Sequence, residues 1–394
     1  MKMICREHYI APIRDYYDSD LIKILIGVRR CGKSVILDEI LSEIKAKTDN
    51  IIDLDFEDAS VLLSLPDAPT LIRYINEHRR PGKCYVFLDE VQRVSDWAIA
   101  CRTIRLQDCS VFISGSSATL LSEEFASELS EGYVAFRIRP FVYKELCEYA
   151  EEQGREVSVS DYLVWGGFPK RSEFSDTDAQ KVYLNDLNET IIHDIINRYG
   201  IRKTDLFRKI VNCVLIANAR VFSARSIHDY LRSNGFPCSV TTITKYLSYL
   251  EESFAIEFVK LYSGKVKREL NYYQKIYAAD VSLNSIRCMN GRFDLSHNLE
   301  NIVYNELLYM GYALQTYYDG KEEIDFVAVK GHKQYYIQVA YSVAEEKDYA
   351  RALKAFSKLD NSCQKILITN DGSDYSTSTV RHISLPDFLK MDSL

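Results

Sequence analysis

No apolar run in this chain reaches the ~18 residues that a helix needs to cross a bilayer, and the Met1 end carries no apolar signal region. A cytoplasmic protein with no membrane partner is expected. Cysteine pairing is missing too. The ten cysteines are scattered without a C-x-x-C pair, and none of the seven histidines has another at metal-ligand spacing. In a chain this size they read as buried thiols, not as a disulfide frame or a zinc site. Nor is there an excess of positive charge. Lys and Arg number 49 against 56 Asp and Glu, a net charge of −7. That argues against a chain-wide basic surface for nucleic acid but leaves room for a local patch. What remains is core: 394 residues, 47% hydrophobic and 27% charged, enough for about two to four globular domains.

The strongest signal starts at Gly27. Gly27-Val28-Arg29-Arg30-Cys31-Gly32-Lys33-Ser34 fills every fixed position of G-x-x-x-x-G-K-[ST]. An apolar run, Leu21 to Ile26, precedes it as a buried strand, and Val35 to Ile44 follows as an amphipathic helix. That context turns the pattern into a phosphate loop. Gly27 and Gly32 permit backbone angles and close approach that a side chain would block. Successive amides then point inward as an anion nest at the positive end of a helix. The expected ATP-binding residues are Gly27, Val28, Arg29, Arg30, Cys31, Gly32, Lys33, Ser34 and Val35. Lys33 is expected at the β- and γ-phosphates, and the Ser34 hydroxyl on Mg²⁺. The same surroundings favour the Cys31 thiolate, with ATP shielding it from alkylation.

Cys84-Tyr85-Val86-Phe87-Leu88-Asp89-Glu90 reads as a buried strand ending in two acids. Downstream of a phosphate loop, Asp89 is expected to hold Mg²⁺ and Glu90 to orient the attacking water, making Glu90 and Lys33 the catalytic pair. A strand that merely emerges into solvent is the plainer alternative. Ser110 to Ser117 is a further strand with a polar tip. Ligands of open α/β sheets gather at the carboxyl ends of strands, so Ser116 or Ser117 is placed to sense the γ-phosphate, although a simple turn explains both as well. A strand at Asn50 to Phe56, helices at Ala68 to His78 and Trp97 to Arg105, and a fifth strand at Val134 to Ile138 complete a parallel, helix-covered sheet over residues 1–150.

These stretches resemble an AAA-type ATPase family of bacteria and archaea whose members join the ATPase to a C-terminal domain of largely unknown function. The matching residues are the loop with its double arginine, Leu88-Asp89-Glu90-Val91-Gln92 with Trp97 after it, Ser114-Gly115-Ser116-Ser117, and Pro140-Phe141 leading to Glu145-Leu146. Tyr162-Leu163 with Gly166-Gly167-Phe168-Pro169 matches as well. The resemblance implies ATP and Mg²⁺ as cofactors. It also implies a helical lid and connector over 151–204, in which Gly167 and Pro169 contact the base. An arginine after the leucine-serine run would reach a neighbouring subunit's phosphate, which implies a homo-oligomer. Here Leu129-Ser130 is followed by Glu131-Gly132-Tyr133. Such an arginine is worth roughly 10³–10⁵ in rate where it operates. Slow hydrolysis is expected unless Arg137 or Arg139 substitutes.

From Asp205 the pattern changes. Helices at Leu206 to Ala217, Ser223 to Leu231 and Ser239 to Ser253 precede strands at Phe254 to Glu257 and Lys260 to Tyr277, a winged helix over 205–284. Its third helix offers Thr241, Thr242, Thr244, Lys245 and Tyr249 to duplex DNA, with Lys265, Lys267 and Arg268 on the wing for phosphates. A module that only packs or binds a partner protein has the same pattern. Residues 285–394 look like a restriction-endonuclease core: helix Leu299 to Met310, three strands between Leu314 and Ala340, helix Asp348 to Leu359 and strand Lys365 to Thr369. Asp325 and Gln338, with Glu306 joining them, fit a Mg²⁺ position, and a polar cluster kept for folding or partner binding is the favoured alternative for Asp325 and Gln338. Ala340 stands in the lysine slot, so cleavage chemistry is expected to be disabled. The expected fold class is α/β: an AAA-type P-loop parallel sheet, an all-α/winged-helix module, then a restriction-endonuclease-like domain. The expected function is an ATP-hydrolysing switch or motor acting with DNA or a partner protein. An ATP-regulated DNA nuclease and a non-hydrolysing ATP-gated interaction module are the alternatives.

Overall fold

Ile22-Lys23-Ile24-Leu25-Ile26 folds as a strand buried at all five positions, the mark of a parallel strand covered on both faces. The computed structural model of the protein describes residues 4–121, 132–262, 274–288, 291–318, 322–359 and 363–394. It divides into two units, Met1–Pro140 with Glu252–Phe254, and Phe141–Glu251 with Ala255–Leu394.

The first unit runs α1 (Glu7–Arg14), β1 (Ile22–Ile26), α2 (Lys33–Lys45), β2 (Ile51–Asp55), α3 (Ala59–Ser64), α4 (Ala68–His78), β3 (Cys84–Asp89), α5 (Trp97–Arg105), β4 (Cys109–Gly115) and β5 (Tyr133–Arg137). Its five strands are all parallel, in the order β2-β3-β4-β1-β5. Helix α2 buries Ile36, Leu37, Ile40, Leu41 and Ile44, the stripe of a 3.6-residue repeat. Helix α4 starts where Asp67 and Thr70 form a capping box. Because β3, β4 and β1 are consecutive in the sheet, the loops after them share one edge. The sequence motifs lie in those loops.

The second unit runs α6 (Tyr143–Glu151), α7 (Val159–Trp165), α8 (Thr177–Arg198), α9 (Thr204–Ile216), β6 (Val221–Phe222), α10 (Ala224–Ser233), α11 (Val240–Glu252), β7 (Ile256–Val259), β8 (Leu261–Tyr262), β9 (Gln274–Ala278), α12 (Leu295–Tyr309), β10 (Ala313–Tyr318), β11 (Glu323–Lys330), β12 (Lys333–Ala340), α13 (Glu346–Ala355), β13 (Gln364–Thr369) and β14 (Val380–Ser384). Strands β6, β9 and β7 form an antiparallel sheet in that order. A mixed six-stranded sheet has the order β14-β13-β12-β11-β10-β8. Helix α10 is capped as expected, with the Ser223 hydroxyl accepting from the Ser226 amide at 3.1 Å.

One expectation is corrected here, and one strand was not expected. Lys260 to Tyr277 is not one strand. Strand β8 joins the six-stranded sheet beside β10, with the Thr316 amide donating to the Lys260 carbonyl at 3.0 Å, while β9 pairs with β7. Strand β14 gave no signal, since only Val380 and Ile383 of its five residues are buried. The expected wing residues Lys265, Lys267 and Arg268, and Leu129 to Glu131, lie outside the described residues. Among the described residues no helix is long and apolar enough to cross a membrane.

Candidate functional site

Between β1 and α2 the backbone takes conformations that side chains resist. Gly32 has φ of 99° and Arg30 of 65°, both left-handed. At Gly27 a Cβ would collide with the Ile138 carbonyl. Lys33 opens α2 and is buried. Its Nζ donates to the carbonyls of Gly27 at 3.2 Å and Val28 at 3.4 Å, and lies 3.8 Å from Glu90 Oε1. Ser34 is exposed, and its hydroxyl makes no hydrogen bond among the described residues.

Asp89 ends β3. The Ser114 hydroxyl on neighbouring β4 donates to Asp89 Oδ1. The Glu90 amide lies 3.1 Å from Asp89 Oδ1 and 3.2 Å from Ser114 Oγ. Glu90 itself sits in the left-handed region with φ of 50°. Its Oε2 accepts from Ser116 Oγ at 3.2 Å and from Gln92 Nε2. The tips of β1, β3 and β4 therefore bring Lys33, Asp89, Glu90 and Ser116 together. The Lys33 ammonium, the Ser34 hydroxyl at the start of α2 and the carboxylates at the end of β3 border the loop whose amides would hold an anionic ligand. The glycine-shaped loop and the free Ser34 hydroxyl fit ATP and Mg²⁺.

Two residues escaped the sequence reading. Gln92 holds Glu90, and its own Oε1 is buried with no partner among the described residues. The Glu-x-Gln spacing on one turn was the signal. Arg6, 2% exposed, donates to the carbonyls of Cys31 and Arg139, both at 3.0 Å. It fastens the loop to the segment after β5, and nothing in its local sequence announces this. Cys31 is a correction. It is 0% exposed and its thiol donates to the Ile138 carbonyl at 3.5 Å, so it faces the protein and not the anion nest. Arg29 pairs with Glu57 at 3.1 Å.

Gly167 and Pro169 belong to the second unit. The Gly167 amide donates to Asp280 Oδ2 at 2.6 Å, its carbonyl accepts from the Phe141 amide at 2.8 Å, and a Cβ would strike the Phe141 carbonyl. Packing inside that unit is enough to require glycine there.

A second charged cluster is built around Lys275 of β9. Its Nζ donates to Glu300 Oε1 at 2.7 Å and Asp325 Oδ1 at 2.8 Å, and it pairs with Glu323. The Tyr277 hydroxyl donates to Glu300 at 2.7 Å and the Val339 amide to Asp325 Oδ2 at 2.9 Å. Burial works against the Lys275 ammonium, but the Asp325 and Glu300 carboxylates outweigh it and hold its pKa well above the ordinary lysine value. Burial first, and then the Asp325 charge, raise Glu300. Gln338 Oε1 has no partner among the described residues. Glu306 does not join this cluster, which corrects the expectation. Six residues beyond Glu300 on α12 it is rotated about 240° around the axis. It accepts from the Tyr143 amide at 2.9 Å and the Tyr162 hydroxyl at 3.2 Å, and burial pushes it up to about 8. Among the described residues no group of three or more His, Cys, Asp or Glu is arranged to hold a metal ion.

An AAA domain family matches residues 19–147. A domain of unknown function (DUF8612) matches 156–292, and another (DUF4143) matches 296–388. An uncharacterised protein of Haemophilus influenzae is 31% identical over 378 residues, covering 93% of this chain and 93% of its own. One from Methanocaldococcus jannaschii is 28% identical over 376 residues, covering 89% and 82%. Among solved structures, a Walker-type ATPase of Pyrococcus abyssi has a TM-score of 0.52 at 15% identity, covering 72% of this chain and 96% of that one, a likeness of fold.

Proposed function

The chain belongs to a family of AAA-type P-loop ATPases in which the ATPase domain is followed by domains of unknown function, and on that premise we propose that it is a slow ATP-hydrolysing switch acting with DNA. The observation that carries the reading is the meeting of Lys33 and Glu90 at 3.8 Å over a loop in which Gly27 has no room for a side chain and Gly32 takes a left-handed backbone. Loop amides from Gly27 to Val35 bind the phosphates. Lys33 exchanges the Gly27 and Val28 carbonyls for phosphate oxygens. Ser34 and Asp89 would hold Mg²⁺, which would supply neutralisation of the phosphate charge. Glu90, kept in place by Ser116 and Gln92, orients the attacking water and receives its proton. Gly132 stands where the family's arginine would stabilise the transferring phosphoryl from a neighbouring subunit, and the lack of that arginine there sets the slow rate.

In this reading residues 1–150 are the ATPase domain, 151–204 a lid and connector, 205–284 a winged helix and 285–394 a nuclease-like scaffold. Lys275 among its acids argues against cleavage by that scaffold, because the chain's own ammonium already neutralises them. Glu90→Gln is expected to keep ATP affinity and to slow turnover about 10²–10⁴-fold, since it removes a base and not the cradle. Wild-type turnover in that variant would contradict the assignment.

A further inference from the structure

Some basic side chains of the second unit have acidic partners: Arg208 pairs with Glu189, Lys181 with Asp178, Arg220 with Asp294 and Lys354 with Glu322. Three that have none among the described residues share one cavity. Arg202 and Lys203, on the turn between α8 and α9, and Lys245 of α11 are exposed and form no ion pair among the described residues. They converge on a cavity of about 540 Å³ that Ser239, Thr242 and Tyr249 also line and to which no carboxylate contributes. In a chain with a net charge of −7 this concentration is unusual.

The pocket is also held in shape. The rings of Tyr199 and Tyr249 stack at 3.7 Å and 9°, which joins the end of α8 to α11. Lys245 Nζ lies 5.8 Å over the Tyr249 ring, so its charge is kept over the pocket wall. Tyr246, buried beside them, packs edge-on against Phe207 at 5.2 Å and anchors α11 to α9. Three uncompensated cations on a rigid concave surface with two hydroxyls match a row of anionic oxygens. Nothing in the lining selects a base edge.

We propose that this pocket seats the phosphodiester backbone of duplex DNA. Arg202, Lys203 and Lys245 pair with successive phosphates, and one hydroxyl of the Ser239–Thr242 pair, whose oxygens lie 2.9 Å apart, donates to a phosphate oxygen. The proposal rests on the reading of the chain as one that acts with DNA, and it adds Arg202 and Lys203, outside the third helix and the wing, to the contact surface. Binding here is independent of sequence and driven by counterion release.

The test uses the full chain and a fluorescein-labelled duplex of about 20 bp, followed by anisotropy from about 50 to 200 mM salt. Arg202→Glu, Lys203→Glu and Lys245→Glu together are expected to weaken binding and to lower the slope of log affinity against log salt by about 3. The triple Gln variant, which keeps more of the native packing, is expected to do the same to a smaller degree. Reversing Lys347, Arg351 and Lys390 to Glu changes the net charge equally and is expected to leave the slope in place. Circular dichroism and ATP binding confirm that each variant is folded. An unchanged slope in both pocket variants, an equal loss in the charge-matched control, binding of single strands only, or no wild-type binding at about 50 mM salt would each overturn the proposal. Loss of DNA binding with ATP binding intact concerns the pocket alone. Absence of ATP binding with DNA binding intact concerns the ATPase reading alone.

Discussion

Lys33 and Lys275 are buried to nearly the same degree, 5% and 4% exposed, and each faces acidic side chains. Their partners differ. Lys33 has two backbone carbonyls at 3.2 and 3.4 Å and one carboxylate at 3.8 Å, contacts that a phosphate can replace without leaving a charge stranded. Lys275 is clasped by Glu300, Asp325 and Glu323, so moving it would strand several buried carboxylates. A lysine that must meet a ligand is held loosely by neutral groups. A lysine that organises a core is held by full charges. Burial alone does not separate the two roles, whereas the chemistry of the partners does.

The largest expected effect breaks the second of these arrangements. Lys275→Met removes the cation from a buried set of acids and is expected to cost about 3–5 kcal/mol in denaturant unfolding. Lys33→Met is expected to change stability by less than about 1 kcal/mol. Comparable losses for the two variants would erase the distinction.

The next effect concerns Glu306. Its pKa is raised in the folded state to about 8, from an ordinary value of 4.5, chiefly by burial. A raised acid stabilises the fold while protonated, so its contribution is complete below about 4.5 and is lost as pH rises through about 8. The loss is on the order of 5 kcal/mol across that window. Glu306→Gln, which keeps an acceptor for Tyr143 and Tyr162, is expected to flatten the pH dependence of unfolding. A slope unchanged by the substitution would count against it.

Lys23, a third buried lysine, gives the opposite slope. It is 0% exposed, with Nζ 2.7 Å from Ser110 Oγ and no carboxylate contact, and burial lowers it to about 7. The folded state prefers the neutral amine, so stability rises with pH between about 7 and 10.5. Lys23→Met is expected to stabilise the fold at pH 7 by on the order of 2 kcal/mol and to abolish that rise. A lower melting temperature in the variant would show that the ammonium is better satisfied than its contacts suggest. The smallest effect concerns Cys31. Buried and bonded to the Ile138 carbonyl, it is expected to resist iodoacetamide in the native protein with or without ATP. Rapid labelling that ATP suppresses would restore the exposed-thiolate reading.

The two lysine sites were unequally legible. The Lys33 site could be read because its residues are nearly contiguous: Gly27 to Ser34 in one loop, Asp89 and Glu90 at one strand end, and Ser116 at another. The strands and helices around it followed from apolar runs and helical periodicity. The Lys275 cluster draws on β9, α12 and β11, with 25 residues between Lys275 and Glu300 and 50 between Lys275 and Asp325. No local pattern links them. The cation beside Asp325 is Lys275 from another sheet, its charge taken up by three acids, and Glu306 sits on the other side of its helix. Arg6 was hidden for the same reason, since its partners Cys31 and Arg139 lie 25 and 133 residues away. Polar networks assembled across distant elements leave little periodicity, while apolar faces and loop motifs do.

The central claim is that Lys33 exchanges loop carbonyls for phosphates. Calorimetric titration of ATP with Mg²⁺ into wild type, Lys33→Ala and Glu90→Gln tests it most directly. The account predicts saturable binding by wild type, comparable binding by Glu90→Gln, and a loss of roughly 100-fold or more in Lys33→Ala, the scale of a removed charge-assisted contact of about 3 kcal/mol. Equal ATP affinity in wild type and Lys33→Ala would contradict it.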